Sequence, residues 1–389
     1  MTEPGSSDFL YIDTPAALQD LCATLQNADV IALDTEFVRD KTYFARLCLL
    51  QVATDELVAC IDPLALGDLD CLLEIFFHPG TLKLLHAARQ DLEIFHDLYG
   101  KVPAPLFDTQ IAAALLGFSD QAGYGAVVGE LLGVSLDKAS ARTDWAQRPL
   151  SASQLAYAAD DVRYLLRLYP LIMERLTRLG RRDWLEEDFR HLTDPALYTK
   201  DAASAWRRVS GHGRLKPRQL AVLQPLAAWR EEQARKRDKP RKWILSDDVL
   251  INLARQAPAD LSQLGKLRGI PPGVVKQSGP ALVDRIRQAL AQPRDQWPVA
   301  TQKIRLTPEQ ECLADTLMAY LRLLGQQSGI SPASLATRRE VEKLVRGERD
   351  LGLLHGWRGH IAGQPLLAML EGRTALVVRD GTVCAEPRD

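Results

Sequence analysis

Segments that favour β-strands lie mainly in the first quarter of this 389-residue chain, and this uneven distribution restricts the possible folds more than any other feature. Four apolar runs have the length and composition of buried strands, namely 30–33, 47–52, 57–61 and 81–86. The turn-prone pair Thr54-Asp55 separates the second run from the third and predicts a hairpin. Helical spacing follows Asp68 and dominates from about Asp108 to Leu179. Strands early and helices late predict a mixed sheet covered by helices.

The remainder of the chain, beyond about residue 205, has little strand signal and contains a weak internal repeat. The tripeptide Leu215-Lys216-Pro217 is matched by Leu306-Thr307-Pro308, which begins 91 residues later. Ser246 and Thr337 are equally placed as helix N-caps before segments with apolar periodicity. The polar, proline-bearing stretch 291–298 suits a linker. We therefore predict two similar helical modules in tandem.

Composition and charge exclude several classes of protein. No apolar run reaches the roughly eighteen residues that span a bilayer, and residues 1–5 lack the features of a secretory signal, so we expect a soluble cytoplasmic protein. The six cysteines have no paired spacing, which argues against a zinc module and predicts ordinary thiols. Residues 1–200 carry 17 Lys and Arg against 30 Asp and Glu, whereas residues 201–389 carry 31 against 20. A basic half favours contact with a polyanion, although chance clustering of solvated charge gives the same counts.

Candidate metal ligands occur where the predicted strands end. Asp34 and Glu36 are two residues apart, so on a strand their side chains leave the same face and can converge on one ion. Asp91 follows the fourth strand, where a strand-to-helix turn commonly presents functional groups. Taken alone, Asp34 and Glu36 could be solvated strand-edge charge, and Asp91 could be a helix N-terminal acid that complements the helix dipole.

A further carboxylate is predicted within the helical segment around residues 155–169. At 100° per residue, Tyr157 and Asp161 share a stripe, whereas Asp160 points nearer Arg163. Periodicity therefore favours Asp161 over Asp160 as the partner of Tyr157. The alternative is that the acids are simply exposed and that Tyr157 belongs to the core.

Together these residues resemble a known family. Asp34-Thr35-Glu36, the Asp91 that follows residues 85–90, and Tyr157 four residues before Asp161 match the three motifs of the DEDD exonucleases, and the tyrosine marks the DEDDy branch. Phe107-Asp108-Thr109, Asp144-Trp145 and Arg148-Pro149-Leu150 are similar to the bacterial ribonuclease D family in particular. The match covers roughly the first half of the chain.

This resemblance implies a ribonuclease H-like sheet and a site with two divalent ions, Mg²⁺ or Mn²⁺, about 3.5–4 Å apart. It implies that Asp34 bridges both ions, that Glu36 and Asp161 help to hold the ion that activates water, and that Asp91 supports the other. Tyr157 would orient the attacking water. The implied activity is 3′→5′ hydrolysis of RNA to nucleoside 5′-monophosphates, with transfer-RNA precursors that carry short 3′ extensions as substrates.

The tail also resembles a known module, since both predicted helical units are similar to the all-α HRDC bundles of ribonuclease D and of RecQ-type helicases. The first unit contains a basic run that ends in an aromatic residue and is suited to phosphate contact and base stacking: Arg235, Lys236, Arg237, Lys239, Arg241, Lys242 and Trp243. A solvated loop is the alternative interpretation of this run. The second unit is less basic, and it could serve only to pack or to position.

The sequence thus predicts an α/β exonuclease domain over residues 1–205, followed by HRDC bundles over 210–292 and 304–385, in a plan compatible with a monomer. Two alternatives stay open, a DNA 3′→5′ exonuclease and a catalytically silent nucleic-acid-binding protein. His86 is predicted to be structural, because it lies within the fourth strand. Gly123-Tyr124-Gly125 lacks the remaining residues of a phosphate-binding loop and predicts a turn before a helix.

Overall fold

The computed structural model of the protein describes residues 8–137, 143–299 and 305–388. Residues 1–5, on which the expectation about a secretory signal was based, lie outside the described residues, as does residue 304, the first of the predicted second HRDC bundle. The chain forms two compact units. The first comprises Met1–Phe37, Leu47–Tyr198 and Arg305–Asp389, and the second comprises Val38–Arg46 and Thr199–Ile304. No helix in the described part of the chain is long and apolar enough to cross a membrane.

The first unit is built on a six-stranded sheet with the order β1-β4-β3-β2-β5-β6. The strands are β1 (Leu10–Ile12), β2 (Val30–Val38), β3 (Arg46–Ala53), β4 (Val58–Ile61), β5 (Leu82–Leu85) and β6 (Leu106–Asp108). The predicted hairpin is confirmed, because β3 and β4 pair antiparallel with Leu50 opposite Ile61. Strand β5 runs parallel to both β2 and β6. The sheet is therefore mixed, as predicted.

Nine α-helices connect and cover these strands in the described part of residues 8–198. They are α1 (Pro15–Leu25), α2 (Pro63–Leu66), α3 (Asp70–Phe76), α4 (Arg89–Tyr99), α5 (Thr109–Ala114), α6 (Tyr124–Leu132), α7 (Ala152–Arg163), α8 (Leu165–Arg178) and α9 (Leu185–Leu192). Helix α7 begins at a capping box, in which Ser151 accepts from the Gln154 backbone and the Gln154 side chain returns to the Ser151 amide. The helical segment predicted around residues 155–169 is divided in the structure, because α7 ends at the C-cap Tyr164 and α8 begins at the next residue.

The prediction that all six cysteines are ordinary thiols is wrong for two of them. Cys22 on α1 and Cys71 on α3 form a disulfide, with their Cα atoms 6.1 Å apart. The spacing of 49 residues gave no signal, because the pairing depends on how α1 packs against α3 and not on local sequence. Among the described residues, Cys48, Cys60, Cys312 and Cys384 are free thiols.

The second unit is a helical bundle, in agreement with the predicted fold class. Its helices are α10 (Pro217–Arg237), α11 (Arg241–Ile244), α12 (Asp247–Gln256), α13 (Leu261–Gly265) and α14 (Pro272–Ala291). The predicted cap is confirmed, since the Ser246 side chain accepts from the Val249 amide at the start of α12. The unit also contains residues 38–46, the connection between β2 and β3, which the sequence did not place there.

The C-terminal region belongs to the first unit and repeats the helical pattern of the second. Its helices are α15 (Pro308–Ser328), α16 (Pro332–Leu335), α17 (Arg338–Val345), α18 (Gly356–Arg358) and α19 (Gln364–Leu370), with a π-helical turn at Gly359–Gly363. Helices α10 and α15 each have 21 residues and begin at the prolines of the repeated tripeptide. The predicted Thr337 cap of α17 is also confirmed.

A ring stack and an ion pair are among the contacts that join this C-terminal region to the sheet-containing part of the first unit. The rings of Trp184 and Trp357 stack with centroids 5.1 Å apart. The Arg358 guanidinium donates to both carboxylate oxygens of Asp188, the shorter bond being 3.1 Å. The two parts also share one hydrophobic core. This region therefore forms part of the same compact unit as the sheet.

An antiparallel hairpin that the sequence analysis did not predict ends the chain. Strands β7 (Thr374–Arg379) and β8 (Thr382–Pro387) pair through the turn at Asp380 and Gly381, whose φ angles are 49° and 76°. Asp-Gly between two runs that are rich in β-branched residues is a strong signal for a two-residue hairpin. The signal was thus present in the sequence, although the rest of the region is helical.

Candidate active site

Strand β2 brings the first two predicted acids onto one face of the sheet. Asp34 and Glu36 alternate along the strand with Thr35, which is only 6% exposed. Strand β2 runs to Val38, so both acids lie within the strand and not beyond its end. One carboxylate oxygen from each of Asp34, Glu36 and Asp161 lies within 4.8 Å of the others. The structure therefore brings together three of the four predicted metal ligands.

Asp91, the fourth predicted ligand, lies in the first turn of α4, next to this group. It is 6% exposed, and its Oδ1 accepts a hydrogen bond from the Thr35 hydroxyl. Asp91 lies outside the group of three oxygens, but its charge acts on Asp34 and helps to raise the pKa of that carboxyl. Thr35 thus links β2 to α4, a role that sequence reasoning did not assign.

A second contribution that sequence reasoning missed is made by Asp108, which is 2% exposed. Its carboxylate accepts from the backbone amides of Ala87 and Ala88, at 3.1 and 2.8 Å, and it also caps α5 through the Gln110 amide. Ala87 has a φ of 57°, a conformation that is strained for a residue with a side chain. Asp108 therefore holds the strained turn from which α4 presents Asp91.

Helix α7 supplies Asp161 and Tyr157, and it separates Asp161 from its neighbour Asp160. The Tyr157 hydroxyl hydrogen-bonds the Asp161 carboxylate. Asp160 points elsewhere, because it accepts from the Arg163 side chain at 3.1 Å, and Arg163 also pairs with Asp8. The Tyr157 ring lies 6.2 Å from that of Trp145, centroid to centroid. The geometry thus favours Asp161 as the site residue and gives Asp160 a separate ion pair.

Burial and mutual repulsion hold protons on these carboxyls in the absence of a cation. Burial and the charges of Asp91, Asp161 and Glu36 raise the pKa of Asp34 well above its ordinary range. Burial and the charges of Asp161 and Asp91 raise the pKa of Glu36 to about 8. Burial likewise raises the pKa of Asp91 and of Asp161 to about 7, against hydrogen bonds from Thr35 and Tyr157. Such a cluster is stabilised by any multivalent cation that the carboxylates can share.

His86 lies outside this group and has both ring nitrogens engaged. Its Nδ1 lies 2.9 Å from the Thr109 hydroxyl and its Nε2 lies 2.9 Å from the Ala122 carbonyl oxygen. Burial lowers the pKa of His86, which favours the neutral ring with the Nε2 proton donated to Ala122. These contacts agree with a structural role. Gly123 is the N-cap of α6, as the predicted turn before a helix requires.

The predicted nucleic-acid-binding run lies in the second unit, where its members have different surroundings. Arg235, Lys236 and Arg237 are exposed in the last turn of α10, and Trp243 is 59% exposed on α11. Lys239 and Lys242 are exposed as well, and the Lys239 ammonium lies 6.0 Å from the Trp243 ring centroid. Most of these side chains are therefore exposed. They lie in the last turn of α10, on α11 and between the two helices, so the run does not form one loop.

Arg241 differs from the rest of the run, because it is part of a buried cluster. Its guanidinium donates to both oxygens of Glu231, at 2.6 and 2.8 Å, and lies over the Tyr43 ring. Although burial alone would raise the pKa of Glu231, hydrogen bonds from Arg241 and Tyr43 lower it to about 2. The structure therefore places Arg241 in a structural ion pair.

Comparisons with known proteins identify relatives of both parts of the chain. Residues 9–177 match the family described as 3′-5′ exonuclease, and residues 219–286 match the HRDC domain. The chain is 39% identical to ribonuclease D of Gluconacetobacter diazotrophicus over 98% of this chain and 97% of that protein. It is 40% identical to ribonuclease D of Acidiphilium cryptum, over 97% and 96%. The crystal structure of Escherichia coli RNase D, described as an exoribonuclease involved in structured RNA processing, matches with a TM-score of 0.79 at 33% identity, covering 94% of this chain and 99% of that one.

Proposed function

The chain belongs to the ribonuclease D family of 3′→5′ exoribonucleases, and we propose that it hydrolyses RNA at the carboxylate site of β2 and α7. The observation that carries this proposal is the convergence of Asp34, Glu36 and Asp161 on one point, with their oxygens within 4.8 Å of one another. Asp91 and Tyr157 complete the proposed site. These are the five residues that the DEDDy motifs indicate.

The donor set fits two divalent cations, and Mg²⁺ or Mn²⁺ are the candidates. All the predicted ligands are carboxylates, which are hard oxygen donors, and no sulfur or imidazole ligand belongs to the group among the described residues. Burial and repulsion between neighbouring charges raise the pKa of Asp34 and of Glu36, and a shared cation would stabilise their ionised forms. When bound, a pair of such ions lowers the pKa of water and stabilises the charge on the leaving 3′ oxygen. Asp34, Glu36, Asp91 and Asp161 would hold them.

Tyr157 acts as a hydrogen-bond donor in this proposal. Burial and the charge of Asp161 raise the pKa of its hydroxyl, so the proton stays on the oxygen at neutral pH. A protonated phenol can orient an attacking water but cannot act as its base. The carboxylates of Glu36 and Asp161 lie beside it as acceptors. Attack on the terminal phosphodiester in this arrangement would release a nucleoside 5′-monophosphate.

Replacing Tyr157 with Phe tests that role. The substitution removes only the phenolic oxygen, so RNA affinity should stay within about twofold while the single-turnover rate falls by about 10²-fold. Rapid-quench measurement of mononucleotide release in saturating Mg²⁺ gives the rate, and filter binding in Ca²⁺ gives the affinity. An unchanged single-turnover rate would remove Tyr157 from the mechanism.

We infer that the substrate is a structured RNA with a short single-stranded 3′ extension, and that transfer-RNA precursors belong to this class. The inference is supported by the family resemblance and by the description of the Escherichia coli relative as acting in structured RNA processing. A precursor with several extra 3′ nucleotides should be trimmed to near its mature end, with the rate dropping once the duplex stem is reached. Continued digestion through the stem at the initial rate contradicts this substrate class.

We further propose that the second unit contacts RNA through Trp243 and Lys242. Both line a cavity of about 390 Å³, together with Tyr43 and Arg208. An exposed indole offers a face on which a base can stack, and the neighbouring cations suit a phosphate. Arg241 also lines the cavity, but its guanidinium is already bound to Glu231. It would therefore support the contact without making it.

Three substitutions separate these roles. Trp243→Ala and Lys242→Ala should each weaken RNA binding about three- to tenfold, and Lys242→Ala should reduce the dependence of log Kd on log salt by about 1. Arg241→Gln should instead lower the thermal stability, because it leaves the buried Glu231 carboxylate without its main partner. Lys276→Ala, at an exposed position on α14, is the matched control. Equal effects of Lys242→Ala and Lys276→Ala on RNA affinity would refute the assignment.

A further inference from the structure

A fully buried amide in the centre of the sheet has no hydrogen-bond partner among the described residues. The side chain of Gln51 on β3 is 0% exposed, and none of the described residues gives a hydrogen bond to its Oε1 or its Nε2. An amide removed from water without a partner is costly, and a purely structural position of this kind is better filled by an apolar side chain. Gln51 therefore requires a partner other than the groups that surround it.

Strand register places Gln51 on the same face of the sheet as the carboxylates. Gln51 lies directly opposite Cys60 of β4, so both side chains project from one face. The Cys60 thiol lies 3.8 Å from the Leu155 carbonyl oxygen, and Leu155 belongs to α7. The face that carries Gln51 is consequently the face that α7 covers.

Strand β2 lies next to β3 and presents the same face. Ala53, two residues after Gln51, packs in one core cluster with Ala32 of β2 and Val162 of α7. Two and four residues after Ala32, β2 carries Asp34 and Glu36 on that face. The unpartnered amide thus lies on the neighbouring strand, beneath the helix that supplies Tyr157 and Asp161.

We propose that Gln51 is a positioning residue of the carboxylate site, and this inference rests on the proposed function of that site. Its Nε2 would donate to a carboxylate of β2, or to a water held beside it, when the site holds a divalent cation. A neutral amide suits this place because it supplies two donors without adding charge. A glutamate would add a fifth acid, and an apolar residue would supply no donor.

On this account, the cost of burying the Gln51 amide reflects the demands of function and not of stability. Residues that lower the stability of the folded protein are retained at sites where they contribute to binding or catalysis. Partners of metal-ligating carboxylates typically change metal affinity or activity by 10- to 100-fold when they are removed. The same magnitude is expected for Gln51.

Replacing Gln51 with Met, an unbranched apolar residue of similar length, separates positioning from packing. In the metal-free protein the melting temperature should stay unchanged or rise by about 2–4 °C, because an unpartnered amide is removed. With Mg²⁺ or Mn²⁺, kcat should fall by about 10- to 100-fold, and the RNA Kd should stay within about twofold. The rise in melting temperature that Mn²⁺ causes should also be smaller than in the natural protein. Gln51→Leu provides a second variant should Met pack poorly.

Cys60→Ala is the matched control, because it alters packing beneath α7 while the amide stays in place. This variant should lower the melting temperature and leave kcat within about twofold. The inference is overturned if Gln51→Met keeps full kcat, or if Cys60→Ala loses as much kcat as Gln51→Met. If the natural protein fails to hydrolyse RNA, the proposed function fails, and the Mn²⁺-dependent melting shift still tests Gln51 separately.

Discussion

The Asp34→Asn variant should lose hydrolysis of RNA almost completely, with a fall in kcat of about 10³-fold or more, while it still folds and binds RNA. The charges of Asp91, Asp161 and Glu36 all act on Asp34, so in the proposed site we expect Asp34 to be the carboxylate that two cations would share. Asparagine has the same shape but removes the negative charge that draws a cation to this position. Circular dichroism and RNA binding serve as controls for folding. Near-normal turnover in Mg²⁺ would refute the assignment of the site.

The carboxylates of this site should also make the stability of the metal-free protein depend on pH, and the Asp34→Asn variant tests that dependence. Burial and neighbouring charges raise the pKa of Asp34 well above its ordinary range and that of Glu36 to about 8. Carboxyls in the unfolded chain titrate near pH 4, so between about pH 4 and 8 the folded state retains protons that the unfolded state has released. Its stability therefore falls as the pH rises through this window.

Asp34→Asn removes one of the repelling carboxyls, so its metal-free melting temperature should exceed that of the natural protein at pH 8. The difference should shrink toward pH 5, where the carboxyls of the folded natural protein are largely protonated. Scanning calorimetry in a chelator measures both proteins across this range. A constant difference at all pH values would show that repulsion at this site is not the cause.

The neighbouring pair on α7 provides the second large effect, since Asp161→Asn should lower the single-turnover rate by about 10²–10³-fold. The reason is the contact of Asp161 with Tyr157 and its place within 4.8 Å of the carboxylates of β2. The side chain of Asp160 is 39% exposed and pairs with Arg163 at 3.1 Å. Asp160→Asn should therefore change the rate by no more than about twofold and stability by no more than about 1 kcal/mol.

Asp160→Asn is the matched control for Asp161→Asn, because it makes the same substitution one residue away on the same helix. Both rates should be measured at saturating Mg²⁺, and again across a Mg²⁺ titration. Loss of a metal ligand should raise the Mg²⁺ concentration needed for half-maximal rate in Asp161→Asn alone. If Asp160→Asn is the more impaired variant, the geometry of α7 has been misassigned.

Much of the fold could be predicted because it depends on local periodicity. Strand alternation placed Asp34 and Glu36 on one face, and helical spacing favoured Asp161 over Asp160. The caps at Ser246 and Thr337 depend on side chains within three residues of the amides that they bind. Each of these features depends on residues that are close in sequence.

The features that could not be predicted depend on residues far apart in the chain. The Cys22–Cys71 disulfide follows from the packing of α1 on α3. The Tyr43 hydroxyl binds Glu231, which is 188 residues away, and this contact belongs to the unit that residues 38–46 join. The ion pair of Arg241 could not be predicted either. Its sequence context indicates an exposed cation, whereas its partner is the buried carboxylate of Glu231. The β7–β8 hairpin is different, since its Asp380-Gly381 signal is local and lies in a region whose other signals are helical.

The central claim is that the chain shortens RNA from its 3′ end at a site that requires divalent cations. The most direct test compares RNA and DNA oligomers of one sequence, labelled at either end, in Mg²⁺, Mn²⁺ or chelator. We predict that 3′-labelled RNA releases its label at once as a mononucleotide, that 5′-labelled RNA shortens in a ladder, that DNA is cut much more slowly, and that chelator stops the reaction. Equal or faster digestion of DNA, binding of RNA without digestion, or release of the 5′ label first would contradict this account.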